Sequence, residues 1–262
     1  MSTAYEVMAR DTSEHSWAAD PYADALRAGH GPLFLRRDDG WLLPLDVERW
    51  CARADAVDLR ILDRCEGAVL DVGCGPGRLV AELAARGRRA LGIDVSEAAV
   101  AHTVRLGGQA LLRSVFEPLP GEGRWGSALL VDGNLGIGGD PCALLERLAR
   151  LLVTGGLLIA ETAPVDIDER VSVHLVGVTG GTSALGAADA PFPWARLGTP
   201  ALLRYARPLG WLPVDQWSAG GRCFVALRSR STSSSAEPPK NTAVISSQRA
   251  RKPSPGSPVV DG

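Results

Sequence analysis

Between Val69 and Arg78 an apolar run is closed by Asp71, glycine stands at positions 73, 75 and 77, and a helix-forming stretch begins. Alternating glycines let a ligand approach the backbone with no Cβ in the way. A helix starting just behind them turns its N-terminus toward that ligand. Seventeen residues beyond Gly77, a second short apolar run, Ala90 to Ile93, ends at Asp94. One carboxylate offers two oxygens to a pair of neighbouring hydroxyls. Strand, glycine loop, helix and second-strand carboxylate together make a nucleotide-type binding half. The dinucleotide form of this pattern wants glycine or alanine at position 78. Arg78 stands there, which counts against a nicotinamide-dependent oxidoreductase, the minor alternative.

Other chemistry is harder to build from these residues. Cys51, Cys65, Cys74, Cys142 and Cys223 are scattered and form no C-x-x-C pair. They read as reduced, partly buried thiols. Cys74 has no general-base partner in sequence and reads as loop packing. His15, His30, His102 and His174 lack metal-ligand spacing, so no metal site is expected. The 28 basic and 30 acidic residues leave a formal charge of -2. That balance, with no basic stripe rich in aromatics, gives no case for nucleic acid or an anionic membrane. No apolar run is long enough for a membrane span. Met1 to Asp20 is acidic and has no secretory h-region, so a cytoplasmic location is expected.

Elements that would position the glycine loop follow an α/β rhythm. Strands are expected at Ala68–Val72, Arg89–Ile93, Gln109–Val115, Trp125–Val131 and Gly156–Glu161. Helices are expected between them at Arg78–Arg86, Glu97–Leu106 and Pro141–Leu152. The strands are rich in Leu, Val, Ile and Ala, as when both sheet faces are covered. Upstream, Leu33–Leu45 reads as a hairpin around Arg36 to Gly40, with helices at Tyr22–Ala28, Val47–Ala54 and Ala56–Arg64. Asp46 is placed to cap the second of these. Downstream, Glu169–Val176 reads as a strand or an extended active-site wall, Thr179–Gly186 as a loop and Thr199–Leu209 as a helix. Trp211–Trp217 and Arg222–Arg228 form a closing antiparallel hairpin. The division expected is an N-terminal lid or helical extension at 1–65, a binding domain at 66–228 and a disordered tail at 229–262, rich in serine and proline.

Val69 to Leu79 resembles the first motif of class I S-adenosylmethionine-dependent methyltransferases, and the resemblance extends to Glu161 and more loosely to Arg228. It implies a doubly wound, mostly parallel sheet of seven strands with a C-terminal antiparallel strand. It also implies S-adenosylmethionine as cofactor and methyl transfer to a small-molecule nucleophile, such as an intermediate of secondary metabolism. By the same resemblance, Asp71 neighbours the cofactor amino group and Gly73, Gly75 and Gly77 lie under its methionine and ribose. Asp94 would accept from both ribose hydroxyls, and Val95 would pack near the adenine. Ser114 stands where the family often has an acidic residue for the adenine amino group, and Phe116 would line the base pocket. Asp132 and Asn134, at the end of the fourth strand, would bind the methionine moiety or steer the acceptor. Acceptor-pocket candidates outside this core are Trp41, Trp50, His174, Phe192, Trp194 and Arg196. Trp194 reads equally well as an anchor for its loop, and His174 as part of a solvated strand face. The alternative function is a catalytically degenerate protein of the same fold that binds without turnover. The sequence names no acceptor, base or oligomeric state.

Overall fold

The computed structural model describes residues 20–177 and 190–230. The expected loop at Thr179–Gly186, the first 19 residues and the tail from 231 onward lie outside the described residues. Ser229, counted in the tail by sequence, is instead the last residue of a strand.

Two sheets organise the chain. The larger has seven strands, in the order β10-β11-β7-β6-β3-β4-β5. These are β3 (Val69–Val72), β4 (Ala90–Asp94), β5 (Ala110–Leu112), β6 (Trp125–Leu130), β7 (Leu152–Thr162), β10 (Trp211–Ala219) and β11 (Arg222–Ser229). Strands β5, β4, β3, β6 and β7 run parallel. Strand β11 is antiparallel to both β7 and β10, as expected of a closing hairpin. The apolar strands are apolar because they face two cores. Leu70, Ala128, Leu130, Leu158, Ala160, Val225 and Leu227 pack into one cluster. Their alternating neighbours Val69, Leu129, Leu157, Ile159, Phe224 and Ala226 pack into the other. Period-two alternation with both registers buried requires helices on each side.

Those helices begin where the sequence offers caps. Helix α3 (Ala56–Arg64) starts from a capping box of Asp55 and Asp58. Helix α4 (Arg78–Ala85) follows the glycine loop. Ser96 caps α5 (Glu97–Arg105), and Asp140 with Pro141 at the first turn starts α6 (Pro141–Leu151). Helix α7 spans Thr199–Ala206. The expected strand Gln109–Val115 shortens to three residues, because Ser114 to Glu117 turns.

The second sheet is wholly antiparallel and has the order β2-β1-β8-β9. Its strands are β1 (Leu33–Arg37), β2 (Leu42–Leu45), β8 (Asp168–Gly177) and β9 (Phe192–Leu197). The sheet thus pairs a hairpin from the N-terminal segment with strands that follow β7. Strand β9 is not evident in sequence, because Pro193 interrupts it; as an edge strand it tolerates the proline. Helices α1 (Asp20–Ala28) and α2 (Val47–Cys51) pack beneath this sheet, where Tyr22, Leu26, Val47 and Trp50 meet Leu35, Val173, Phe192 and Trp194.

Candidate functional site

Strand β3 runs out at Val72, and the chain turns through Gly73 to Gly77 before α4 starts. The turn is tied to the neighbouring strand: the N–H groups of Gly73 and Cys74 both donate to the Ile93 carbonyl, at 2.9 and 3.0 Å. Gly77 is left-handed, with φ 89°, and a Cβ there would fall 2.3 Å from Thr103 Oγ1 on α5. Only glycine lets α4 and α5 approach this closely. Gly75 is also left-handed, at φ 54°, but a Cβ there would meet only the Tyr22 hydroxyl oxygen, 3.4 Å away. Its backbone faces a cleft.

The cleft holds about 950 Å³ of empty space, partly open to solvent. It is lined by the glycine loop with Asp94 and Val95, by Ser114 to Phe116, and by Tyr22, Trp50 and Trp194. Gly73, Gly75, Asp94, Val95, Ser114, Phe116, Asp132 and Asn134 therefore come together from separate strand ends, beyond the C-terminal edge of the parallel sheet. Gly77 and Asp71 do not line the cleft.

Asp94 is buried, and both its oxygens serve the loop. Oδ2 accepts from the Gly75 N–H and Oδ1 from the Ser96 N–H, each at 2.9 Å. Each carboxylate oxygen keeps a further lone pair. Burial pushes the acid up to about 6, against the pull of those backbone donors. Asp71 is buried too, and its Oδ1 has no partner among the described residues. Burial pushes it up to about 7; Arg78 pulls the other way, and Asp132 and Asp94 add to the rise. Burial likewise raises the Cys74 thiol well above its ordinary value, which makes it a poor nucleophile and agrees with loop packing.

The raised Asp71 has a consequence for stability. Its folded pKa of about 7 lies above the unfolded value of 3.8. The folded state then keeps a proton that the unfolded state loses. That contribution is complete below about pH 4 and disappears as pH rises through 7. Between pH 5 and 7 the loss amounts to roughly 2–3 kcal/mol. The thermal midpoint of the parent is expected to fall relative to that of Asp71→Asn as pH rises from 5 to 8. A midpoint difference independent of pH would contradict the assignment.

Asn134 and Asp132 hold the site together. The Asn134 amide donates from Nδ2 to the carbonyls of Val72 and Gly73, both at 2.8 Å. It is a bracket on the start of the loop. Asp132 has φ 60°, a left-handed backbone unusual outside glycine. Its N–H donates to Glu161 Oε2 at 2.7 Å, and its carboxylate lies among three guanidinium groups. Oδ2 accepts from Arg78, while Oδ1 accepts from Arg49 and Arg222. Arg78 also grips the fully buried Asp58 through Nε and Nη2, at 2.8 and 3.1 Å. Arg222 reaches Asp58 and both oxygens of Glu161. Burial alone would raise Asp58, but Arg78 and Arg222 hold it at about 2.

This network of Asp58, Arg78, Asp132, Glu161 and Arg222 is absent from the sequence reading. Asp58 is there only one position of an expected helix, and Arg78 reads as a missing glycine. Partners 20 to 164 positions apart leave no local signal. Tyr22 and Trp50, whose rings meet edge to face at 6.3 Å, also join the cleft. Trp50 is among the acceptor-pocket candidates, whereas the sequence places Tyr22 only on a helix.

The acceptor-pocket candidates separate. Trp194, Trp50 and Phe192 line the cleft, and Arg196 lines an adjoining cavity. Trp41 and His174 line neither. On β8, Val173 and Leu175 are buried and alternation sends His174 to the opposite face, where Nε2 meets Asp38 at 3.1 Å. Trp41 lies under the Arg196 guanidinium, 4.7 Å from its ring centre. In Ser114, Oγ accepts from the Phe116 N–H at 3.2 Å, so it shapes the turn beside the cleft.

The loop geometry allows a direct test. In Gly75→Val a branched side chain would project from a left-handed residue into the cleft, where only the Tyr22 hydroxyl lies within 4 Å of its Cβ. Loss of S-adenosylhomocysteine affinity by at least about tenfold, equivalent to 1.4 kcal/mol, is expected with a nearly parental circular dichroism spectrum. Unchanged affinity would remove the loop from the site.

Residues 69–156 match a family model described as a methyltransferase domain. No curated protein matches the chain by sequence. Among solved structures, the chain is similar to an S-adenosylmethionine-dependent methyltransferase from Bacteroides fragilis in complex with S-adenosyl-L-homocysteine. The TM-score is 0.62 at 16% identity, covering 84% of this chain and 95% of that one. A glycopeptide N-methyltransferase, MtfA, complexed with S-adenosyl-L-homocysteine gives 0.51 at 13% identity over 68% of this chain and 90% of its own. A methyltransferase from Methanosarcina mazei gives 0.50 at 14% identity over 68% and 99%. At these identities the likeness is one of fold. Among the described residues no helix is long and apolar enough to cross a membrane.

Proposed function

We propose that this chain is a class I S-adenosylmethionine-dependent methyltransferase, as the methyltransferase-domain match over residues 69–156 supports, and that it transfers a methyl group from S-adenosylmethionine to a small-molecule nucleophile. The observation that carries the reading is the cleft itself. Backbone of the glycine loop, the Asp94 carboxylate and an aromatic wall converge there at the ends of β3 and β4. The residues present fit the cofactor: Asp94 retains lone pairs for two ribose hydroxyls, and Gly75 offers backbone without a side chain. Val95 and Phe116 would flank the base. Asp71, Asp132 and Asn134 act through the loop: Asn134 clamps its first carbonyls, Asp132 anchors the neighbouring turn and Asp71 lies behind it.

When bound, S-adenosylmethionine supplies an electrophilic methyl carbon on a sulfonium. The chain's part is to orient and to exclude water, which suffices for attack by an atom that is already nucleophilic. Tyr22, Trp50 and Trp194 give the cleft an aromatic lining that limits the water beside a bound acceptor. The working place of such an enzyme is the cytoplasm.

Incubation with S-adenosylmethionine and a broad panel of small oxygen, nitrogen and carbon nucleophiles, read by S-adenosylhomocysteine release, tests this function. Release that depends on an acceptor supports it. Cofactor binding without turnover on any acceptor would favour a binding protein of the same fold.

A further inference from the structure

A second cavity of about 800 Å³, also partly open to solvent, adjoins the cofactor cleft. The two share Leu45, Trp50, Asp132 and Trp194, so two indoles border both spaces. Its walls come from β2, α2, the turn after β6, the end of β7 and β9. Most are apolar, but two guanidinium groups, Arg49 and Arg196, line it.

The hydrogen-bonding balance of that wall is one-sided. Its carboxylates are already engaged. Asp132 accepts from Arg49, Arg78 and Arg222. Glu161 accepts from Arg222 at both oxygens and from the Asp132 N–H. Asp46 accepts from the backbone and Nε of Arg49, at 3.1 and 3.2 Å. The guanidinium groups are not used up. Arg49 Nη1 is buried and has no partner among the described residues. Arg196 spends one nitrogen on Glu169, at 3.0 Å, and rests its face on Trp41. A guanidinium carries five N–H donors in a planar fork suited to a carboxylate. A buried donor without a partner is a place where a ligand oxygen gains most.

We infer that the acceptor is a flat, mostly apolar small molecule bearing a carboxylate, with its ring against Trp50 and Trp194 and its carboxylate on Arg49 and Arg196. The inference rests on the methyltransferase reading and adds the chemical class of the acceptor.

Calorimetry on the full chain loaded with S-adenosylhomocysteine tests it, using two probe pairs: indole-3-acetate against indole-3-acetamide, and benzoate against benzamide. Each amide keeps the ring and removes the charge. A carboxylate of at least one pair is expected to bind about tenfold more tightly than its amide, a difference of 1.4 kcal/mol. Arg49→Gln should abolish that preference. Arg196→Gln, further from the buried network, should reduce it should Arg49→Gln fail to fold; retained S-adenosylhomocysteine binding identifies the folded variant. Equal binding of acid and amide, preference surviving in the folded variants, or no saturable binding of any probe by the loaded parent would overturn the inference. Failure of the parent to bind S-adenosylhomocysteine at all would instead overturn the methyltransferase reading beneath it.

Discussion

Asp94→Ala is expected to weaken S-adenosylhomocysteine binding by about 10- to 150-fold, since hydrogen bonds to a charged group contribute about 1.5–3 kcal/mol. Two effects combine. The ribose hydroxyls lose their acceptor, and the N–H groups of Gly75 and Ser96 lose theirs. Asp94→Asn separates the charge from the geometry. An amide has one oxygen, so whichever way it turns, one of those two backbone donors faces an NH₂ group. The asparagine variant should therefore fall much closer to alanine than to the parent. Calorimetric titration of the three proteins measures this. Parental affinity in either variant would take Asp94 out of the site.

Arg78→Leu should have the largest effect on stability. Its side chain is 4% exposed, and it bridges Asp58, which is fully buried, to Asp132. Removing one partner of a buried ion pair leaves uncompensated charge and costs about 3–5 kcal/mol. At about 2–4 °C per kcal/mol for a domain of this size, the thermal midpoint should drop by roughly 6–20 °C. Arg78→Lys keeps the charge but cannot grip Asp58 with two nitrogens and reach Asp132 as well, so an intermediate loss is expected. A drop under about 2 °C in the leucine variant would mean that the network contributes little to the fold.

Arg78 also shows how far the sequence is readable. Its identity excludes the small residue that a dinucleotide loop wants, and that reading needs only neighbouring positions. Its purpose needs Asp58, Asp132 and Arg222, which the fold brings together from α3, the turn after β6 and β11. The parallel core is legible for the same local reason. Leu70, Leu129 and Ile159 sit in short apolar runs with glycine or a cap at each end, and both faces of those strands are buried. The small sheet is only half legible. Its first hairpin is local, held by the turn at Asp38 to Gly40, but β1 pairs with β8 across more than a hundred residues. Strand β9 is hidden by Pro193. Because that sheet carries Trp194 and covers Trp50, the candidate cofactor half can be read from the motif and the candidate acceptor half only in part, through Trp50, Phe192, Trp194 and Arg196. Trp41 and His174 illustrate the cost: as residue types they suit a pocket, yet alternation along β8 turns His174 to the outer face, and Trp41 rests under Arg196 without lining either cavity.

The central claim is that the cleft behind Gly73 to Gly77 holds one adenosyl cofactor. Calorimetric titration of the parent protein with S-adenosylhomocysteine tests it most directly. The prediction is saturation near one molecule per chain, with S-adenosylmethionine competing for the same site. A folded protein that shows no saturable binding of either would contradict it.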